Sequence, residues 1–201
     1  MRVFIAIILF ALVFLPRSIA QSPTKIATDY EWQLNQPGRT LFRDRLPVGQ
    51  IALVAGKKEK ATGELLQVLT DIAFMPGDSN RFFAVAFRIG EGSTVYSEVL
   101  ADADEIPELI RSARYITQTA TDIAPSERAE TKITFHTRAG FSIEFMQVGT
   151  QQQLTVVFPD PLSDGEIIRE VSTDQLGLFA DLLDLTIFEL NRQGAGLKVK
   201  K

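Results

Sequence analysis

Apolar and smaller or charged positions alternate along residues 81–89. Phe83, Val85, Phe87 and Ile89 share one parity, and this period of two predicts a strand with one buried face. The same reading extends to both sides. Residues 49–56 place Ile51, Leu53 and Ala55 on one face, and Lys57-Lys58-Glu59-Lys60 follows as a charged turn. Residues 64–73 carry Leu65, Leu66, Val68, Leu69 and Ile72, a spacing that fits a strand or a helix. Pro76-Gly77-Asp78 is a strong turn signal, and Gly90-Glu91-Gly92 closes a hairpin on which residues 93–100 pair back.

The period then changes. Ile106, Leu109, Ile110, Ala113, Ile116, Thr117 and Ala120 recur at helical spacing and predict a helix over 105–122. Asp104 stands as its cap, Pro107 falls in its first turn, and Glu105 and Glu108 suit the positive end of the helix dipole. Alternation returns in 132–137, in Phe141, Ile143 and Phe145, and in Leu154, Val156 and Phe158, which together predict an antiparallel meander. Residues 159–171 read as a polar loop. Ser172 or Thr173 then caps a second helix, with Gln175 placed to complete a capping box with Ser172. Its apolar stripe is Leu176, Phe179, Leu182, Leu183, Thr186, Ile187 and Leu190, and Gly194 and Gly196 end it. The order strands–helix–strands–helix predicts an α+β fold, antiparallel meanders covered by two helices.

The N-terminus follows another pattern. Arg2 precedes an unbroken apolar run over residues 3–15, Pro16-Arg17 breaks it, and Ser18-Ile19-Ala20 is a small-x-small cleavage site. The run is shorter than the roughly 20 residues a spanning helix needs, so residues 1–20 read as a cleaved secretory signal rather than an anchor. Residues 21–39 read as a leader in which Tyr30 and Trp32 form an aromatic point suited to docking, Trp being a highly buried residue type. Residues 40–196 form one domain, with possible halves 40–124 and 125–196. Residues 197–201, with three lysines, are a loose basic tail.

Charge and composition narrow the function classes. Removing residues 1–20 takes away Arg2 and Arg17, leaving 19 basic residues against 25 acidic. A net negative chain suits neither nucleic acid nor anionic lipid, so neither nucleic-acid binding nor membrane insertion after signal cleavage is expected. The 201-residue chain has no cysteine, which excludes disulfides, thiolate metal sites and lipid attachment at the new N-terminus. Asn35, Asn80 and Asn191 all lie outside a glycosylation context. These features together point to a secreted or periplasmic protein of bacterial type.

Little catalytic chemistry is legible. His136 is the single histidine and shares the solvent face of its strand with Lys132 and Thr134. There is no Gly-x-Ser-x-Gly elbow and no phosphate-cradling loop, so no catalytic residue and no cofactor is assigned. Asp160, Asp164 and Glu166 are weak calcium candidates on a loop whose spacing is not that of an EF-hand. Asp102, Asp104 and Glu105 cluster at a helix start, where dipole and capping account for them. Fourteen phenylalanines against three tyrosines point to core rather than binding platforms.

The second helix is apolar nearly all round, because Leu178, Leu185 and Phe188 lie off its main stripe. Such a helix is either gripped on several sides or meets a partner, and these three residues are the partner-contact candidates. The resulting expectation is an exported, non-catalytic domain that binds a protein or small-molecule partner. The alternatives are a carboxylate-dependent hydrolase and a structural homodimer module built on the C-terminal helix. In element order the chain is similar to the Whirly type of single-strand nucleic-acid-binding fold. No motif residues match, and both the export signal and the negative charge argue against that function.

Overall fold

The computed structural model describes residues 27–55 and 59–198, so the expected signal peptide and the last three residues of the tail lie outside the described residues. A short helix, α1 (Asp29–Leu34), precedes four strands: β1 (Phe42–Ala55), β2 (Lys60–Phe74), β3 (Arg81–Glu91) and β4 (Thr94–Asp102). A single 3-10 turn leads into helix α2 (Ile106–Ile123). Four more strands follow, β5 (Arg128–His136), β6 (Ser142–Gly149), β7 (Gln151–Pro159) and β8 (Glu166–Glu170), and then helix α3 (Thr173–Arg192). The strands form one antiparallel sheet in the order β4-β3-β2-β1-β8-β7-β6-β5. The fold is α+β, and both halves run four strands and then a helix. Among the described residues no helix is long and apolar enough to cross a membrane.

The two halves of the sheet meet at a narrow seam, where among the described residues β1 pairs with β8 through Val54 and Glu170. Side chains and the common core strengthen the join. Arg169 on β8 forms an ion pair with Glu64 on β2. The Ser97 hydroxyl on β4 donates to the Pro159 carbonyl at 2.8 Å, which shows that the sheet curls until β4 reaches β7. Inside the curl, Phe87 from β3 stacks on Phe141 with centroids 4.5 Å apart. Phe141 meets Phe158 of β7 edge-on at 5.1 Å, and Phe179 of α3 lies 5.7 Å from Phe87. Both halves and α3 thus contribute rings to one apolar core, which also takes in Leu66, Val68, Ile106, Ile110, Leu183 and Leu190.

The structure corrects several expectations. Residues 64–73, open between strand and helix, are strand, because residues 65–73 are each paired to β1 on one side and β3 on the other and Glu64 is paired to β3. The presumed polar loop after Pro159 contains β8, five residues held by pairing to β7. The leader contains α1, capped by Thr28 and Glu31 acting reciprocally. Within it Tyr30 is buried, but Trp32 stands half exposed at 48% and does not dock. Asp104 does not cap α2. Its carboxylate pairs with Arg138, while Glu105 accepts from the Asp102 amide at 3.1 Å. Ser172 caps α3 as expected, but the Gln175 side chain turns away from it and accepts from the Ala52 amide of β1 at 3.1 Å. Leu197 in the tail is tied at both backbone groups by Asn191.

Candidate functional site

Helix α3 lies against β1, β2 and α2 through one face only. Leu176, Phe179, Ala180, Leu183, Thr186, Ile187 and Leu190 are buried on that face, and Leu182 rests on Gly49 of β1. The helix is therefore not gripped on all sides. Leu178, Leu185 and Phe188 point outward, 52%, 55% and 68% exposed. The three partner-contact candidates thus share one outward line along α3. Arg114 of α2 flanks that line, 3.8 Å from Asp181 and paired with Asp184. Exposed apolar side chains scattered singly need no explanation; three large ones aligned on one helix form a patch.

A second constellation was missed in the sequence. On the outer face of the first four strands, Asp71 of β2 is fully buried. It accepts from the Tyr30 hydroxyl at 2.5 Å, from Arg43 at 2.5–3.1 Å and from Arg45 at 2.8 Å. Arg45 continues to Glu98, which also pairs with Arg88 at 2.7 Å. Register explains the gathering: Arg45 and Asp71 are direct cross-strand partners, as are Arg88 and Glu98. The Tyr30 ring packs with Ala73, Ala84, Phe82 and Leu100, and the two alanines leave the space it fills. Asp102 completes the attachment by accepting from the amides of Asp29 and Tyr30 at 2.9 and 2.8 Å, with Arg138 3.2 Å away. Both helix-end donors are thereby satisfied by a carboxylate at the favourable pole.

The electrostatics suit a clasp rather than catalysis. Burial, reinforced by the Asp71 carboxylate, pushes the Tyr30 hydroxyl well above the usual phenol range, so it stays protonated and donating. Burial pushes the Glu98 carboxyl up, but the hydrogen bonds and charges of Arg45 and Arg88 outweigh it and hold it below the ordinary range. The Asp71 hydrogen bond raises Arg43 further above its already high value. Among the described residues every buried side-chain N or O atom has a hydrogen-bond partner. The acids that converge here are thus engaged by arginines and backbone amides. A pair of carboxylates working on a glycan would instead flank an open cleft.

The remaining sequence candidates are dispersed. Asp160 accepts from the Leu162 amide at 2.9 Å and from the Ser163 hydroxyl at 2.7 Å, and these bonds hold its carboxyl below the ordinary range. Its oxygens serve its own turn. Among the described residues no three of Asp, Glu and His gather as a metal-holding group, so Asp160, Asp164 and Glu166 are not brought together as one. His136 is exposed at the end of edge strand β5. A cleft of about 470 Å³ opens beside the β1–β8 seam, lined by Val54, Met146, Val148, Gln152, Leu154 and Val171; none of the candidate residues lines it. Compared with protein-family models, curated proteins and solved structures, the chain matches none.

Proposed function

We propose that this chain is an exported, non-catalytic interaction domain whose working surface is the outward line of α3. One observation carries the reading: Leu178, Leu185 and Phe188 are each more than half exposed along a single helix. Among the described residues no buried side-chain N or O atom lacks a hydrogen-bond partner, and other exposed large apolar residues, such as Phe42, Leu162 and Ile168, lie on separate elements. Fully burying a leucine or phenylalanine side chain is worth about 1.5–3 kcal/mol. A partner that covers this line recovers part of that free energy at each residue. Export rests on the 13-residue apolar run and the cleavage site that follows it. The carboxylate-hydrolase alternative gains no support, because the converging acids are neutralised within the fold.

The test is site-specific photo-cross-linking in the producing cell. A benzophenone amino acid at position 185 should give a discrete adduct, whereas the same group at Gln118, on the exposed side of α2, should give none. Lack of an adduct at 178, 185 and 188 alike would refute the reading. So would ester or glycoside hydrolysis by the purified protein that disappears when one carboxylate is replaced and the fold is retained.

A further inference from the structure

We infer that the partner of α3 is a second copy of the same chain, docked antiparallel through α3. This deepens the interaction-domain reading and rests on it. The apolar line is part of a longer one. Asp174, Leu178, Asp181, Leu185, Phe188 and Arg192 follow one another in alternating steps of four and three residues along α3. That is the a/d spacing of a two-helix seam, in which successive positions stay on the same outward line. Exposure agrees: Asp174 is exposed, the Asp181 side chain is 72% exposed, and that of Arg192 is 63% exposed. The line therefore projects away from the core over its whole length, roughly 27 Å at 1.5 Å per residue.

The charges on the line select the occupant and its direction. An acid, Asp174, opens it, and a base, Arg192, which also pairs with Glu189 of its own helix, closes it. If two copies pack head to head in parallel, Asp174 meets Asp174 and Arg192 meets Arg192, and both ends repel. If they pack antiparallel about a twofold axis near Leu183, Asp174 faces the second copy's Arg192 at both ends. The same operation sets Leu178 against Phe188, twice, and places Leu185 beside Asp181. The helix dipoles are then also antiparallel, so each positive end lies beside a negative one. The two Asp181 carboxylates approach the axis, and the Arg114 beside each, 3.8 Å from it and shared with Asp184, supplies the opposing charge. A contact satisfied by its own copy is the isologous interface of a closed dimer, which leaves no open end for filament growth. One helix per copy is a small interface by the standards of stable complexes, so the dimer belongs in the micromolar range rather than the nanomolar.

Sedimentation of the purified protein between about 1 and 200 μM tests this, since a micromolar dissociation constant falls inside that window. The wild type should show a monomer–dimer equilibrium. Leu185→Glu should weaken it about 100-fold, because the charge enters the seam twice. Asp174→Arg and Arg192→Asp should each weaken it about 10-fold. The double variant Asp174→Arg/Arg192→Asp should return to within about 3-fold of wild type, a rescue that parallel pairing cannot give. Thermal melts of the same variants check the fold. If a charge reversal lowers the melting temperature, the absence of native cysteine supplies a second arm. Leu178→Cys mixed with Phe188→Cys should then form a disulfide heterodimer, and neither variant alone should form a homodimer. A wild type that stays monomeric at the top concentration overturns self-pairing. A dimer indifferent to Leu185→Glu overturns it as well, and failure of both the double variant and the mixed cysteine pair overturns the antiparallel arrangement. A monomer in solution together with a cellular adduct at position 185 to a different protein would leave the interaction reading standing and remove only the second copy.

Discussion

Replacing Tyr30 by Phe isolates one atom of the clasp that holds α1 on the sheet. The ring stays, and with it the packing over Ala73 and Ala84; only the hydroxyl that donates to Asp71 at 2.5 Å is lost. Hydrogen bonds to charged groups contribute about 1.5–3 kcal/mol. Arg43 and Arg45 still satisfy the carboxylate, which argues for the lower half of that range, about 2 kcal/mol. For a chain of this size that corresponds to a melting temperature lower by about 4–8 °C. Equilibrium urea unfolding provides the measurement: the midpoint should fall while the slope is unchanged, because the surface exposed on unfolding is the same. Local release of α1 would show in exchange before it shows in the midpoint, so amide exchange of Asp29–Leu34 should be followed in parallel. A Phe variant with the wild-type midpoint and wild-type exchange in α1 would show that the hydroxyl contributes nothing, and the clasp argument would fail.

Two further outcomes follow from particular contacts. A Cβ at Gly90 would lie 2.0 Å from the Thr94 carbonyl oxygen, a backbone atom at the β3–β4 register shift, so Gly90→Ala should destabilise by about 3 kcal/mol in the same unfolding assay. Gly92→Ala, with open space around it and only a positive φ of 57° to strain, should lose about 1 kcal/mol. Glu98 sets part of the acid limit. Its carboxyl is held below the ordinary range, so its contribution is fully present above about pH 4.3 and is lost as pH falls through the depressed value. Glu98→Gln should therefore lower stability at neutral pH and lose its deficit relative to wild type in acid melts; a deficit that is constant with pH would contradict the assignment.

The clasp was only partly visible in the chain. Asp71 is a charge set in an apolar run, and Arg43 and Arg45 stand two apart, a spacing that puts both on one strand face. Those signals were present, but which arginine faces which carboxylate depends on register across four strands. Tyr30 joins from a helix 41 residues away in sequence. β8 was missed for a related reason. Glu166–Glu170 is short and polar, and its strand state comes from pairing with β7 rather than from its own pattern. The spacing of Gln175 from Ser172 suits a capping box within its own helix, but the β1 amide of Ala52 is its partner in space.

Local periodicity alone determined the alternating strands around Phe87, Phe145 and Val156, the two amphipathic helices, and the presence of surplus apolar residues at 178, 185 and 188. Each depends only on side-chain direction along one element, which a period of two or of 3.6 dictates. Tertiary structure decided that eight strands make one sheet joined at Val54 and Glu170, that Asp71 is buried among arginines, and that the surplus residues of α3 face outward. Those outcomes depend on contacts between distant segments. Burial and charge compensation belong to the assembled surface, and no single stretch of the chain encodes them.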